Sequence, residues 1–551
     1  MQQLGLVAAV IFATAVLIPT ASRINLPWPV LVTLFGIVLA AIPQVPQVHV
    51  EPDLILPLVL PPLLYAAARK TSWRLWASHA RPILLLAVAL VLVTTAVVAF
   101  VASRVVPGIT IAGAVALGAL VSPPDPVAAT AIAARLQLPR RLVSMLEGEG
   151  LFNDVAALVL YQVAIAAVVG GSFSPESAAV KLLLAAVLAL GIGFAVGWLI
   201  QRLITLLGTS DPRPQVLLSV LAPTATYLLA EDVHGSGVLA VLVYTLYSVS
   251  RPMDAADAQG RLTIDVFWSM TETLVTGLAF GLVGLEFQTA AEAIGLRWTK
   301  LVGETLAVVA VVVGVRLLYL LPAVLLSRRR YRRLQNAALA DALQGKRESR
   351  WLRQARDTDV PLGWRETVVV WWAGMRGVAT VALALAIPMT VHGGGAFPAR
   401  ERILFIAFSV VVVTLVLQGM TLPALVRLLG VRAGALDTDR AEAELIERAA
   451  QAAAEALNQM HDSEEFSVEV WDRLNAFPTD LLVRLSPHLA ENGAHDLGGP
   501  HSAGRQQFRH GLQEMLAAAR AELLAARSER GVQPHLVDLL VRRLDLYSMP
   551  G

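Results

Sequence analysis

EGEGLFND at residues 147–154 places three carboxylates (Glu147, Glu149 and Asp154) and the amide of Asn153 inside the apolar segment 140–170. A charged side chain at the centre of a bilayer costs a few kcal/mol even on lenient insertion scales. An acid there therefore marks an ion pathway, a proton relay or a buried ion pair.

The rest of the chain extends the membrane reading to its whole length. Of 551 residues, 56% are hydrophobic and 16% charged, and the mean hydropathy is +0.63. That is too apolar for a soluble protein, so a polytopic, all-helical membrane protein is expected. The formal net charge of +2 hides basic loops set against an acid-rich C-terminal tail, and nothing in it points to nucleic acid. Zero cysteines exclude disulfides and thiolate metal sites. The first residues, MQQLGLVAAVIF, lack a basic region, which predicts a first membrane helix and not a cleaved signal peptide.

Thirteen stretches are long enough to span the membrane: 3–22, 26–43, 53–69, 81–106, 109–135, 140–170, 176–208, 213–231, 234–252, 262–289, 299–327, 364–391 and 400–430. Alternate loops carry the positive charge, ending with the basic loop 328–363 and its run Arg328, Arg329, Arg330, Arg332 and Arg333. Those loops are read as cytoplasmic, which puts the N-terminus outside and the C-terminus inside a cell membrane. Residues 1–430 form the transmembrane domain on this reading, and 431–551 a helical cytoplasmic tail. The tail contains six of the ten histidines, His461, His488, His495, His501, His510 and His535. Solvated surface histidine is the plain reading of these, and a pH sensor the sharper one. A sequence with no Gly-rich phosphate loop ending in Lys-Ser or Lys-Thr implies no nucleotide.

Two spans are helix-unfriendly at mid-depth. Ser122, Pro123, Pro124, Asp125 and Pro126 interrupt the fifth, because proline lacks an N–H and clashes with the preceding turn. Gly374 and Gly377 loosen the twelfth. The breaks lie seven helices apart in spans of opposite direction, as inverted repeats of helices 1–6 and 8–13 would place them. Paired broken helices point to a transporter's binding site; kinks without function are the plainer alternative.

Asp154 lies thirteen residues beyond Arg141, ~20 Å along the sixth helix. Glu149 and Asn153 share one face there, while Glu147, Gly150 and Asp154 share the adjoining one. Desolvation favours the protonated form of a carboxylate, so a proton and a small cation can compete for the same oxygens. Glu149 is read as paired with a buried arginine, Arg376 or Arg316. Asp125 can cap the second half of the broken fifth helix. Glu147, Glu272 and Glu286 are read as structural or interfacial, with Glu147 the second candidate for substrate contact.

The ordered set SPPDPVAAT (122–130), EGEGLFNDVAALVLY (147–161), FWSMTETLVTGLAFGLVGLEF (267–287) and GMRGVATVALALAIP (374–388) resembles the monovalent cation/proton antiporters, specifically the sodium/proton exchanger branch. The resemblance implies thirteen helices with inverted repeats, crossed discontinuous helices 5 and 12, a homodimer and elevator-like alternating access. It implies no enzyme activity and no cofactor, only the transported cation and proton. Asn153 and Asp154 match the family's Asn-Asp pair, Asp154 being the monovalent-cation and proton acceptor. Glu149 and Arg376 match its buried ion pair, and Asp125 the acid of the unwound fifth helix. Gly150 stands where many relatives supply a serine oxygen, and Ala66 follows LPPLLY (60–65) where many have an acid. Water or backbone carbonyls near Pro124 would replace those ligands. Sodium is the expected cation, with lithium and potassium open. The rival readings are a proton- or sodium-coupled symporter of a small organic anion and, more remotely, an intramembrane aspartyl protease using Asp125 and Asp154.

Overall fold

The computed structural model describes residues 2–24, 26–42, 52–70, 85–125, 129, 136, 138–170, 175–207, 213–250, 258–294, 298–343, 362–392, 394–431, 435–463, 467–485, 505–526 and 534–547. The protein is all-helical, and its helices follow the apolar stretches of the sequence closely. They are α1 Gln2–Ile24, α2 Trp28–Ala40, α3 Pro52–Lys70, α4 Leu90–Val105, α5 Ile111–Val121, α6 Arg140–Gly170, α7 Pro175–Leu207, α8 Arg213–Asp232, α9 Gly237–Ser250, α10 Ala258–Ile294, α11 Trp298–Leu343, α12 Trp364–Trp372, α13 Val378–Leu385 and α14 Arg400–Leu429. Among the described residues, seven helices carry a span long and apolar enough to cross a membrane, and α2, α5 and α9 hold shorter apolar spans. The apolar face that α7 turns outward, including Leu183, Val187, Leu190, Phe194 and Trp198, suits lipid and not water.

The chain divides into two compact units. One comprises residues 1–207, 217–252 and 267–432; the other comprises 208–216, 253–266 and 433–551. In the first, α14 runs through the core, with Ile403, Ile406, Ala407, Phe408, Val410 and Val411 all fully buried. Gly36 on α2 and Gly284 on α10 let two backbones touch, since a Cβ on either would overlap the other helix. Small residues drive such packing in membranes, where apolar burial alone gives helices no reason to associate. The second unit has its own core on α15 Ala435–Ser463, α16 Val468–Leu485, α17 Arg505–Ala526 and α18 Pro534–Tyr547. Its apolar residues recur every fourth position (Leu445, Ala449, Ala453 and Leu457), and Arg448–Glu522 and Arg520–Asp545 ion pairs tie its helices together. Of the tail histidines, His510 alone has a described side chain, and it is exposed.

Both expected helix breaks are present. The fifth span is helical to Val121 and non-helical at 122–125; the half-helix expected beyond it lies outside the described residues apart from isolated positions. The twelfth is split into α12 and α13 by residues 373–377. One expectation needs revision. Residues 328–343 are not loop but continue α11 without a break, and 344–361 of the expected loop lie outside the described residues. The residues there are mostly Arg, Leu, Ala and Gln, all good helix formers, so nothing stops the helix where the membrane does.

Candidate functional site

The two breaks meet. Asp125 N–H donates to Met375 O at 2.6 Å, and Val378 N–H, at the start of α13, donates to Asp125 Oδ2 at 3.4 Å. Gly377 is required at this crossing, because a Cβ there would overlap the Asp125 carboxylate. The sequence reading has Asp125 capping the second half of its own helix. Here its carboxylate faces the N-terminal, positive end of α13, the second half of the broken twelfth span.

A helix ending inside a membrane leaves its last carbonyls without partners, and no water is at hand to satisfy them. Arg376 answers this for α5. Its guanidinium donates to Val121 O at 2.8 Å, to Ser122 O at 3.2 Å and to Gly374 O. Its backbone N–H donates to Thr414 Oγ1 of α14 at 3.2 Å. Arg316 of α11 does the same for α12, donating to Val370 O from Nε at 3.3 Å and from Nη2 at 3.2 Å. Trp371 and Trp372 fix α12 further, through Nε1 bonds to Val313 O at 2.9 Å and Thr421 Oγ1 at 2.7 Å.

Glu149 lies against Arg316, not Arg376. The carboxylate takes a two-pronged bond from the guanidinium, 2.5 Å to Oε1 and 2.8 Å to Oε2, with both side chains 2% exposed. The residues alone leave Arg376 and Arg316 open as partners; the Glu149–Arg376 pair that the resemblance implies is replaced by Glu149–Arg316, and the physical reason is that carbonyls surround the Arg376 guanidinium. Gly374 leaves the room that the Arg316 side chain needs.

Four residues beyond Glu149, Asn153 is fully buried; its Nδ2 points to Pro124 O at 3.5 Å, and its Oδ1 has no hydrogen-bond partner. Asp154 follows on the same helix and is only partly buried, close enough to Asp125 for the two charges to interact. Gly150 is buried, and Ala66 on α3 is 3% exposed, so neither position supplies a side-chain oxygen. Glu147 is on α6, but its side chain lies outside the described residues. Glu272 on α10 is buried and Glu286 half-buried, and both make polar contacts. The sequence reading missed Thr414, whose hydroxyl fixes the backbone of Arg376; a lone threonine in an apolar run such as VVVTLVL carries little signal of its own.

This geometry predicts which partners are coupled. Removing Glu149 or Arg316 alone leaves a buried charge unpaired and is expected to cost ~3 to 5 kcal/mol, with the double replacement milder. A double-mutant cycle on thermal unfolding in detergent should give a larger coupling for Glu149 with Arg316 than for Glu149 with Arg376. Simple additivity for the first pair would contradict the observed contact.

Comparison with known proteins agrees with this architecture. The family model for sodium/hydrogen exchangers, transmembrane, matches residues 10–428. An uncharacterized Na(+)/H(+) exchanger of Mycobacterium tuberculosis is 33% identical over 504 residues, 90% of this chain and 87% of that protein. The Escherichia coli exchanger YjcE, also uncharacterized, is 30% identical over 518 residues, 93% of this chain and 90% of that one. A Bacillus subtilis sodium, potassium, lithium and rubidium/H(+) antiporter is 30% identical over 410 residues, 73% of this chain and 58% of its own length. Among solved structures, the sodium proton antiporter MjNhaP1 from Methanocaldococcus jannaschii shares the fold, with a TM-score of 0.59 at 16% identity over 78% of this chain and all of that one. The chain is a multi-pass membrane transporter, not an enzyme, and it belongs to the sodium/hydrogen exchanger family.

Proposed function

We propose that the protein exchanges one proton for one monovalent cation by alternating access, with Asp154 as the group that carries both in turn. The observation that carries this reading is the distribution of the buried charges. Glu149 is held by Arg316, Arg376 is taken up by carbonyls, and Asp125 faces the start of α13. Asp125 and Asp154 are both partly buried, and of the two it is Asp154 that follows Asn153 on the helix passing the crossing of the two breaks.

Sodium is the proposed cation, with lithium and potassium accepted. Cation selectivity depends on the number and rigidity of the oxygen ligands. With Gly150 and Ala66 the site has few side-chain oxygens, so Asn153 Oδ1, backbone oxygen near Pro124 and water complete the shell. The breadth of ions in the name of the Bacillus subtilis relative supports a permissive site. A homodimer is part of the same reading, as is an N-terminus outside and a C-terminus in the cytoplasm; the alternation of basic loops supports that orientation. Symport of an organic anion is less well supported, because the buried arginines at the site are occupied by Glu149 and by backbone carbonyls.

Asp154→Asn should abolish cation-dependent proton movement in proteoliposomes, because an amide neither exchanges a proton at working pH nor neutralises a cation. Retained exchange in a folded variant would move the carrier to Glu147 or Asp125. A single carboxylate that binds either a proton or a monovalent cation has the same charge in both loaded states. Exchange should therefore generate no current, and a membrane potential, worth ~2.3 kcal/mol per elementary charge per 100 mV, should not change its rate. A transport current from the reconstituted protein would mean that a second acid titrates in the cycle.

A further inference from the structure

The helix α11 is longer than any membrane needs. Its 46 residues reach ~69 Å at 1.5 Å per residue, against a hydrocarbon core of ~30 Å. Its apolar run ends at Ser327, and Arg328, Arg329, Arg330, Arg332 and Arg333 follow at once on the same helix. Rigid continuity puts these guanidiniums at the level of the lipid headgroups and not in a wandering loop.

Three of the five share one face, with Arg328 and the exposed Arg330 ~100° to either side of Arg329. At ~100° per residue, Arg332, Arg329 and Arg333 fan across ~100° of the helix surface, while Leu334 and Ala338 fall on the far side. The three arginines are exposed, whereas Leu334 and Ala338 are buried together. Orienting a helix in the membrane requires positive charge near its end but does not require that charge to share one face. Arg328 is used differently, donating to Leu362 O at 2.9 Å and so binding α11 to the segment that opens α12. Trp364, exposed at the start of α12 with Arg365 5.4 Å from its ring, adds an interfacial aromatic beside this junction.

We infer that Arg329, Arg332 and Arg333 form a binding site for the headgroups of anionic phospholipids of the cytoplasmic leaflet. A cluster of basic residues immediately cytoplasmic of a membrane helix attracts anionic lipid, and the planar guanidinium matches phosphate oxygens two at a time. The inference rests on the orientation proposed above and not on the ion carried. Bound lipid clamps the end of α11 and, through Arg328, the entry to the broken twelfth helix.

The test reads thermal unfolding of the full-length protein in neutral-detergent micelles doped with phosphatidylglycerol, with phosphatidylcholine, or with soluble glycerol phosphate. Phosphatidylglycerol should raise the wild-type midpoint, and the other two should not. Each arginine near the surface is expected to contribute about fivefold in apparent lipid affinity, so R329Q/R332Q/R333Q should need on the order of a hundredfold more phosphatidylglycerol for the same shift. The corresponding triple lysine variant should keep most of the response. Midpoints without added lipid show whether the triple Gln variant folds, and if it does not, the three single Gln variants should each show the fivefold loss. An undiminished response in the folded Gln variants would overturn the site. Equal stabilisation by glycerol phosphate or phosphatidylcholine would overturn the assignment to anionic lipid. Exchange is not measured, so this result stands apart from the role of Asp154.

Discussion

Two helices that stop inside the membrane must have their carbonyls satisfied by protein, and the arrangement of this site follows from the two arginines that do so. Arg376 closes the end of α5, and Arg316 takes Val370 O near the end of α12. A buried guanidinium at such an end meets the negative pole of a half-helix as well as its unpaired oxygens, which makes the position favourable twice over. Arg316 still carries a full charge, and Glu149 from α6 neutralises it with two short bonds. That contact joins α6 to α11 and to the broken twelfth helix. It also removes Glu149 from the groups available to a transported ion.

The backbone of the crossing is held equally closely. Asp125 contributes its N–H to Met375 O and its carboxylate to Val378 N–H, so one residue links the two breaks through main chain and side chain together. Gly377 permits the approach. The part of α6 that passes here carries Asn153 and Asp154, and the buried amide bonds towards the carbonyl of Pro124. Two partly buried carboxylates meet at this crossing, Asp125 bonded to the start of α13 and Asp154 beside Asn153.

Much of this was legible in the sequence because membranes punish exceptions. The expected span 140–170 coincides with α6, Arg140–Gly170, since a mostly apolar run of that length has few other solutions in lipid, even with three acids inside it. The breaks at SPPDP and GMRG could be located because proline and glycine act locally, on their own turn. The partner of Glu149 could not be chosen in the same way. Arg316 and Arg376 are both buried, and the pairing depends on how α11 is rotated against α6, a tertiary property with no local signature. The continuation of α11 to Leu343 was hidden by its composition, because a basic segment reads as loop whether or not its helix persists. Gly374 was read as a loosening of the helix, and the structure adds a second demand on it, room for Arg316.

Charge at the carrier is the point on which the account stands. If Asp154 is the one carboxylate that alternates between proton and cation, binding of the cation must expel the proton it replaces. The direct measurement is proton release from the purified protein in weakly buffered detergent solution when sodium is added at a pH where the site is protonated. One proton per protomer is predicted for the wild type and none for Asp154→Asn. Release of two protons, or release that persists without Asp154, would contradict it.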